Sequence, residues 1–156
     1  TANVLAGLTP VKGKGITIVL DESKAREKIA LDAGYYDSNV FIISAIDIMT
    51  LINELTLNGA EVISVNEQRI TSLSSIVAVE PKIQIDGVTI AAPYTIKAIG
   101  NPESLSSGVY LKSGMIDKYK GIQLDISITP SDEIVIQDYD ASVNLQYAMP
   151  YESEVQ

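Results

Sequence analysis

An α+β two-layer sandwich is the fold class this sequence predicts, on three observations. A β-branched run at Gly15–Asp21 is followed from Ser44 by apolar residues at three- and four-residue steps, and then by a second apolar run at Ala60–Val65. Lys82 to Ile90 alternates about Asp86-Gly87, a pair suited to the positive φ angles of a two-residue hairpin turn. Asn101-Pro102-Glu103 then has the form of a helix start: a capping amide, proline at the first helical position and a carboxylate near the positive end of the dipole. Strand, helix, strand, hairpin, short helices and strand, in that order, imply helices layered on a sheet.

Taken in order, Gly15–Asp21 reads Gly-Ile-Thr-Ile-Val-Leu-Asp, a strand by composition. The glycines of Gly13-Lys14-Gly15 precede that strand and lack a third partner, so they read as a turn or close-approach element, not a dinucleotide fingerprint. Glu22 to Val40 has no clean period and reads as a long connection with at most one helical turn, at Lys24 to Ile29. Ala45, Ile48, Met49, Ile52 and Leu55 line one helix face, which is read as core. Ser44 and Asp47 form an acidic capping box at its start, and Asn58-Gly59 stops it. A strand, a helix and a strand so close suggest a crossover that leaves the first and second strands parallel.

Pro81 falls just outside the first hairpin arm, and Ala92-Pro93-Tyr94 is expected to bend or bulge the second arm before Thr95 to Ile99 continues it. Gly108 and Gly114 predict two short helices, Pro102 to Ser107 and Met115 to Lys120, with Gly121 as the second stop. Ile122 to Thr129 and Glu133 to Gln137 are expected to close as a pair around Pro130-Ser131-Asp132. The architecture is therefore close to a ferredoxin-like plait with extra strands, its helices on one face of a mixed sheet. Residues 1–139 make one domain, and 140–156 an extended acidic tail.

Composition narrows the chemistry. The 156 residues contain neither cysteine nor histidine, which removes thiol nucleophiles, structural zinc sites, Ser-His triads and imidazole acid–base catalysis. All 11 basic residues lie at or before Lys120, together with 13 of the 20 acidic ones; the seven acidic residues beyond have no basic counterpart. That asymmetry argues against nucleic acid as a partner. Asp138-Tyr139-Asp140 lacks calcium-loop spacing, and no metal or cofactor is expected. No apolar run reaches the roughly 18 residues that span a bilayer, so the chain by itself is expected to be soluble. A start at Thr-Ala-Asn without Met suggests a trimmed sequence.

Polar residues gather at Asn66-Glu67-Gln68-Arg69, just past a central strand. Arg69 can grip a carboxylate or phosphate, with Asn66, Gln68, Thr71 and Ser72 adding contacts. The reading preferred over a ligand site is that Arg69 pairs internally with Glu61 or Glu67 while Asn66 and Gln68 satisfy turn backbone. Tyr94 and Lys97 are an odd number of residues apart, so in a strand they face opposite ways and Tyr94 reads as a core edge. No nucleophile, base and orienter come together in the sequence, and the chain is not expected to be an enzyme.

Two ordered blocks, Asn58-Gly59-Ala60-Glu61-Val62-Ile63-Ser64-Val65-Asn66-Glu67-Gln68-Arg69-Ile70-Thr71 and Pro93-Tyr94-Thr95-Ile96-Lys97-Ala98-Ile99-Gly100-Asn101-Pro102, resemble the bacterial YlxW-like family, domain of unknown function 881. The resemblance covers roughly Gly13 to Ile128. It implies a parent protein with a membrane segment and a coiled coil ahead of this domain, hence an extracytoplasmic place at the bacterial envelope. It supplies no catalytic residues, only motif positions: Glu61, Asn66, Gln68, Arg69, Tyr94 and Lys97. Many members carry glycine where this chain has Glu67, which puts a glycine-dependent ligand approach in doubt. The expectation is a non-catalytic interaction or scaffolding domain that docks envelope or division proteins, with homo-oligomerisation open. The alternative is a small-ligand module built on Asn66 to Ser72.

Overall fold

Among the described residues, eight strands form two antiparallel sheets, accompanied by three helices. The computed structural model describes residues 7–34, 42–112, 124–139 and 146–151. In chain order the elements are β1 (Val11–Asp21), α1 (Ser23–Ala33), α2 (Ala45–Leu57), β2 (Val62–Val65), β3 (Gln68–Ile70), β4 (Ile76–Val79), β5 (Lys82–Ile85), β6 (Val88–Ile90), β7 (Tyr94–Ile99), α3 (Pro102–Lys112) and β8 (Asp125–Ile136). One sheet runs β3-β2-β7-β1-β8 and the other β4-β5-β6. With β3 to β6 set aside as an insertion, the order β2-β7-β1-β8 of β1, α2, β2, β7, α3 and β8 is that of a ferredoxin-like plait. Every strand pair is antiparallel, because β7 lies between β1 and β2. The two flanking strands thus run parallel to each other, as the crossover requires, but the mixed sheet becomes an antiparallel one.

The core follows from the strand alternation. Ile16, Ile18 and Leu20 of β1, Ile63 of β2, and Tyr94, Ile96 and Ala98 of β7 bury one sheet face against Ile48, Leu51 and Leu55 of α2 and Leu105 and Val109 of α3. The three-stranded sheet adds Ile83, Ile85 and Ile90 to the same core. On the opposite face, Ile99, Ile134 and Ile136 form a smaller cluster with Val11 and Val62. The aliphatic composition thus serves two unequal cores.

Local signals hold at α2 and the hairpin. Ser44 Oγ accepts from Asp47 N while the Asp47 carboxylate accepts from Ser44 N, a complete capping box. Met49, however, is exposed, and Leu51 takes its expected place in the core. Asp86 (φ 50) and Gly87 (φ 82) make the predicted turn between β5 and β6. Asn101 Oδ1 caps α3 by accepting from Ser104 N at 3.0 Å.

Elsewhere tertiary context overrides propensity. Helix α3 continues through Gly108 because a Cβ there would lie 2.2 Å from the Asn58 side chain; the glycine lets α3 approach the end of α2. The second short helix expected at Met115 to Lys120 lies outside the described residues. Pro130 breaks nothing: β8 is one strand at the sheet edge, where a missing N–H is tolerated, and Pro130 stands opposite Ile16. Ala92-Pro93 does not bend one strand. It carries the chain from β6 in the small sheet to β7 in the large one. Helix α1 spans eleven residues where one turn was expected; it buries only Ala25, so it leaves almost no apolar period in the sequence.

Gly13 and Gly15 lie within β1, at the point where its register with β8 shifts. A Cβ at Gly15 would stand 1.9 Å from the Ala98 carbonyl oxygen, so β7 can approach only a glycine. Gly15→Ala is predicted to lower stability by about 3 kcal/mol or more in urea unfolding, and an unchanged midpoint would refute this account of the strand contact.

Candidate functional site

The β2–β3 turn is built from Asn66 (φ 46) and Glu67 (φ 66), both left-handed without being glycine. Asn66 is held by its surroundings. Its Oδ1 accepts from Thr95 N at 2.7 Å, and its Nδ2 donates to the carbonyls of Ala91 at 3.2 Å and Pro93 at 3.4 Å. One amide side chain therefore fixes the segment that changes sheets. Glu67 accepts from Lys97 Nζ at 2.7 Å across the exposed sheet face, which gives its left-handed backbone a side-chain anchor.

Arg69 is 3% exposed. Neither expected carboxylate partner is its principal contact: Glu67 is engaged by Lys97, and Glu61 stands in a different groove. Instead Nη1 donates to the carbonyls of Thr9 at 2.5 Å and Gln137 at 3.3 Å, so the guanidinium binds the two chain segments that meet at one end of the β1–β8 ladder. Burial lowers its pKa, and the Asp138 charge opposes that shift. Tyr139 N donates to Gly7 O at 2.6 Å, and its side chain faces Asp86, Ser74 and Thr71. Burial and the Asp86 charge raise the Tyr139 pKa. A Cβ on Gly7 would lie 2.8 Å from Thr71 Cγ2 and 3.0 Å from Tyr139 Cβ, which explains why the chain crosses here on a glycine.

A polar cleft of about 410 Å³ opens beside this crossing, lined by Glu67, Gln68, Arg69, Asp86, Val88 and Gln137 to Tyr139. Three carboxylates face it with one guanidinium that is already hydrogen-bonded within the chain, so it has little to offer an anion. Glu61, Thr71 and Ser72 line a second groove of about 450 Å³ between α2 and the β3–β4 connection, with Met49, Ile70 and Ile76. Thr71 is occupied in the turn there: its N donates to Ser74 Oγ at 2.8 Å, and its Oγ1 accepts from Leu73 N. Tyr94 is buried in the core and Lys97 lies on the opposite face, as their spacing predicts. The eight candidates thus separate into a sheet-crossing clamp at Asn66, a buried arginine clamp with Gln68 beside it on the cleft, a groove lip of Glu61, Thr71 and Ser72, a core Tyr94, and Lys97 on the opposite face paired with Glu67.

Besides Asp47 in its capping box, a further buried charge was not among the candidates. Glu22, 2% exposed, accepts from the backbone N–H groups of Ile42 at 3.2 Å and Ile43 at 3.0 Å and pairs with Arg26. It ties the end of β1 to the approach to α2, beside a cavity of about 550 Å³ lined partly by Arg26, Leu31 and Pro93. The four-residue spacing of Glu22 and Arg26 was the available signal. Among the described residues, no three carboxylates are grouped to hold a metal ion.

Two measurements check these assignments. Arg69→Ala leaves the Thr9 and Gln137 carbonyls without their donor, and a stability loss of roughly 1–3 kcal/mol is predicted from urea unfolding; a neutral substitution would contradict the clamp. Burial, with Glu22 adding to it, pushes the Tyr94 pKa up to about 12. Because the folded pKa lies above the unfolded value of about 10, the tyrosine contribution is intact below pH 10 and is lost as pH rises towards 12, at up to about 1.4 kcal/mol per unit. Tyr94→Phe is predicted to flatten that alkaline slope, and an unchanged slope would assign it elsewhere.

The model of a family described as "Bacterial protein of unknown function (DUF881)" matches residues 1–149. The UPF0749 protein YlxW of Bacillus subtilis is 31% identical over 125 residues, 78% of this chain and 50% of that protein. The UPF0749 protein Rv1825 of Mycobacterium tuberculosis is 23% identical over 154 residues, 95% of this chain and 47% of that protein. This chain therefore spans about half the length of these relatives. The crystal structure of an uncharacterized conserved protein from Mycobacterium tuberculosis superposes with a TM-score of 0.73, at 23% identity and with 96% of each chain covered, a likeness of fold. The chain belongs to the DUF881 family of bacterial proteins.

Proposed function

We propose that this chain is a non-catalytic interaction domain of a membrane-anchored bacterial protein, held on the extracytoplasmic side and docking envelope partners near the cell-wall or division machinery. The observation that carries the reading is the outer face of α2. Its exposed residues, Ile46, Met49, Thr50, Asn53, Thr56 and Leu57, include no charge, while the two carboxylates of the helix, Asp47 and Glu54, are turned inward. A surface helix normally carries its charges outward, and an uncharged outer face with Ile46, Met49 and Leu57 exposed points to a covering partner. The groove beside it continues this surface onto Ile70, Ile76 and the exposed Leu73.

The small-ligand reading is weaker, because Arg69, its central donor, is buried on main-chain carbonyls and Asn66 points away from the Arg69 cleft. The extracytoplasmic part of the proposal rests on the family resemblance. The other half of each relative leaves room for an anchor and a coiled coil.

Absence of cysteine makes the location testable. In the parent protein, cysteine introduced at exposed Ser72 should react with a membrane-impermeant maleimide in intact cells; labelling only after lysis would sink the location. A photo-crosslinking residue at Met49 should capture envelope proteins reproducibly, whereas one at Val135 on β8 should not. Equal capture from both positions, or none from Met49, would count against docking through α2.

A further inference from the structure

We propose that two copies of this chain pair through β4, edge to edge across a twofold axis, joining their small sheets into one of six strands. The inference goes beyond the docking reading and concerns a different surface. Two sheets leave four outer edges among the described residues: β3, β8, β4 and β6. Three are poor templates. β3 and β6 are three residues long, and β8 carries Pro130 with Asp125, Asp132 and Glu133, a proline and charges of the kind that blunt an edge. β4 reads Ile-Val-Ala-Val, with no charge, no proline and no bulge, and Val77 is 50% exposed.

The ladder sets which groups β4 offers. Asp86 N donates to Ser75 O at 3.0 Å and Ser75 N donates to Asp86 Oδ1 at 2.9 Å, so Ser75 turns its backbone towards β5. By alternation Val77 and Val79 do the same, and Ile76 and Ala78 present N–H and C=O to the open edge. Antiparallel self-pairing joins outward residues to outward residues. The register with greatest overlap sets Ile76 opposite Ala78 of the second copy, Ala78 opposite its Ile76, and Val77 opposite Val77 on the axis. Val79 then meets Ser75, and Glu80 meets Ser74, so no charge faces a like charge.

Electrostatics favours a second copy here over elsewhere on the surface. At a net charge of −9 two copies repel, least where neither carries charge. The uncharged surface from Leu73 to Val79 adjoins the groove whose other wall is the uncharged face of α2. Pairing two identical edges makes an isologous contact that closes at two copies.

Sedimentation velocity on this chain across a concentration series is the test. The expected result is a concentration-dependent species of twice the 16.8 kDa chain mass. Val77→Lys sets two ammonium groups opposite each other on the axis and should weaken the dimer by about tenfold or more, as should Val77→Glu, while their equimolar mixture restores it as a heterodimer. Val135→Lys on β8 should leave the dimer unchanged. A monomer at every concentration, a Val77→Lys dimer as tight as the parent, no restoration on mixing, or dissociation by Val135→Lys would each overturn the β4 pairing. A monomeric chain that still captures envelope proteins from Met49 would remove self-pairing alone and leave the docking reading standing.

Discussion

Arg69 holds the Thr9 and Gln137 carbonyls with one buried guanidinium, and the arrangement of the remaining elements depends on that contact. The two carbonyls lie at one end of the ladder of β1 and β8, the longest strand pair, and Arg69 itself sits on β3 at the other edge of the sheet. The contact therefore spans from one edge of the five-stranded sheet to the ends of strands at the other. Tyr139, bonded through its N–H to Gly7 O, stands with Arg69 and with Asp86 of the small sheet around one cleft. Burying a guanidinium is costly unless its donors are met, and the Thr9 and Gln137 carbonyls meet those of Nη1. Such a residue is committed to the fold, which moves the search for function from the cleft to the surface.

The surface divides by charge. Strand β8 carries Asp125, Asp132 and Glu133, while the exposed residues of α2 and of β4 carry no charge. In α2 the inward carboxylate Asp47 closes the capping box, so the charge that could have made the outer face polar serves instead to start the helix. Glu22 is a parallel case, with its carboxylate spent on the amides that lead into α2. Internal use of these charges leaves an acidic protein with an uncharged flank.

Legibility in the sequence followed the range of each determinant. The Asp86-Gly87 turn, the Ser44–Asp47 box and the Asn101 cap depend on two to four adjacent residues, and all three were readable. The plait was readable too, because it follows from the order of the elements. Gly108 and Pro130 misled for a shared reason: each is a poor residue for its element by propensity but is required or tolerated by a neighbour, Asn58 for the glycine and an open sheet edge for the proline. Helix α1 left little trace because its packing buries a single alanine. At the candidate site, Arg69 was visible as a residue of consequence. Its acceptors were not, since main-chain carbonyls 60 residues before it and 68 after it have no sequence signature.

The most direct test of Arg69 as a clamp is its own side-chain resonance. In a ¹⁵N-labelled sample, the Arg69 Nε–H signal is predicted to exchange slowly with solvent and to stay in place as inorganic phosphate or acetate is added. A saturable shift of that signal with either anion would contradict the clamp and return the cleft beside Arg69 to the status of a ligand site.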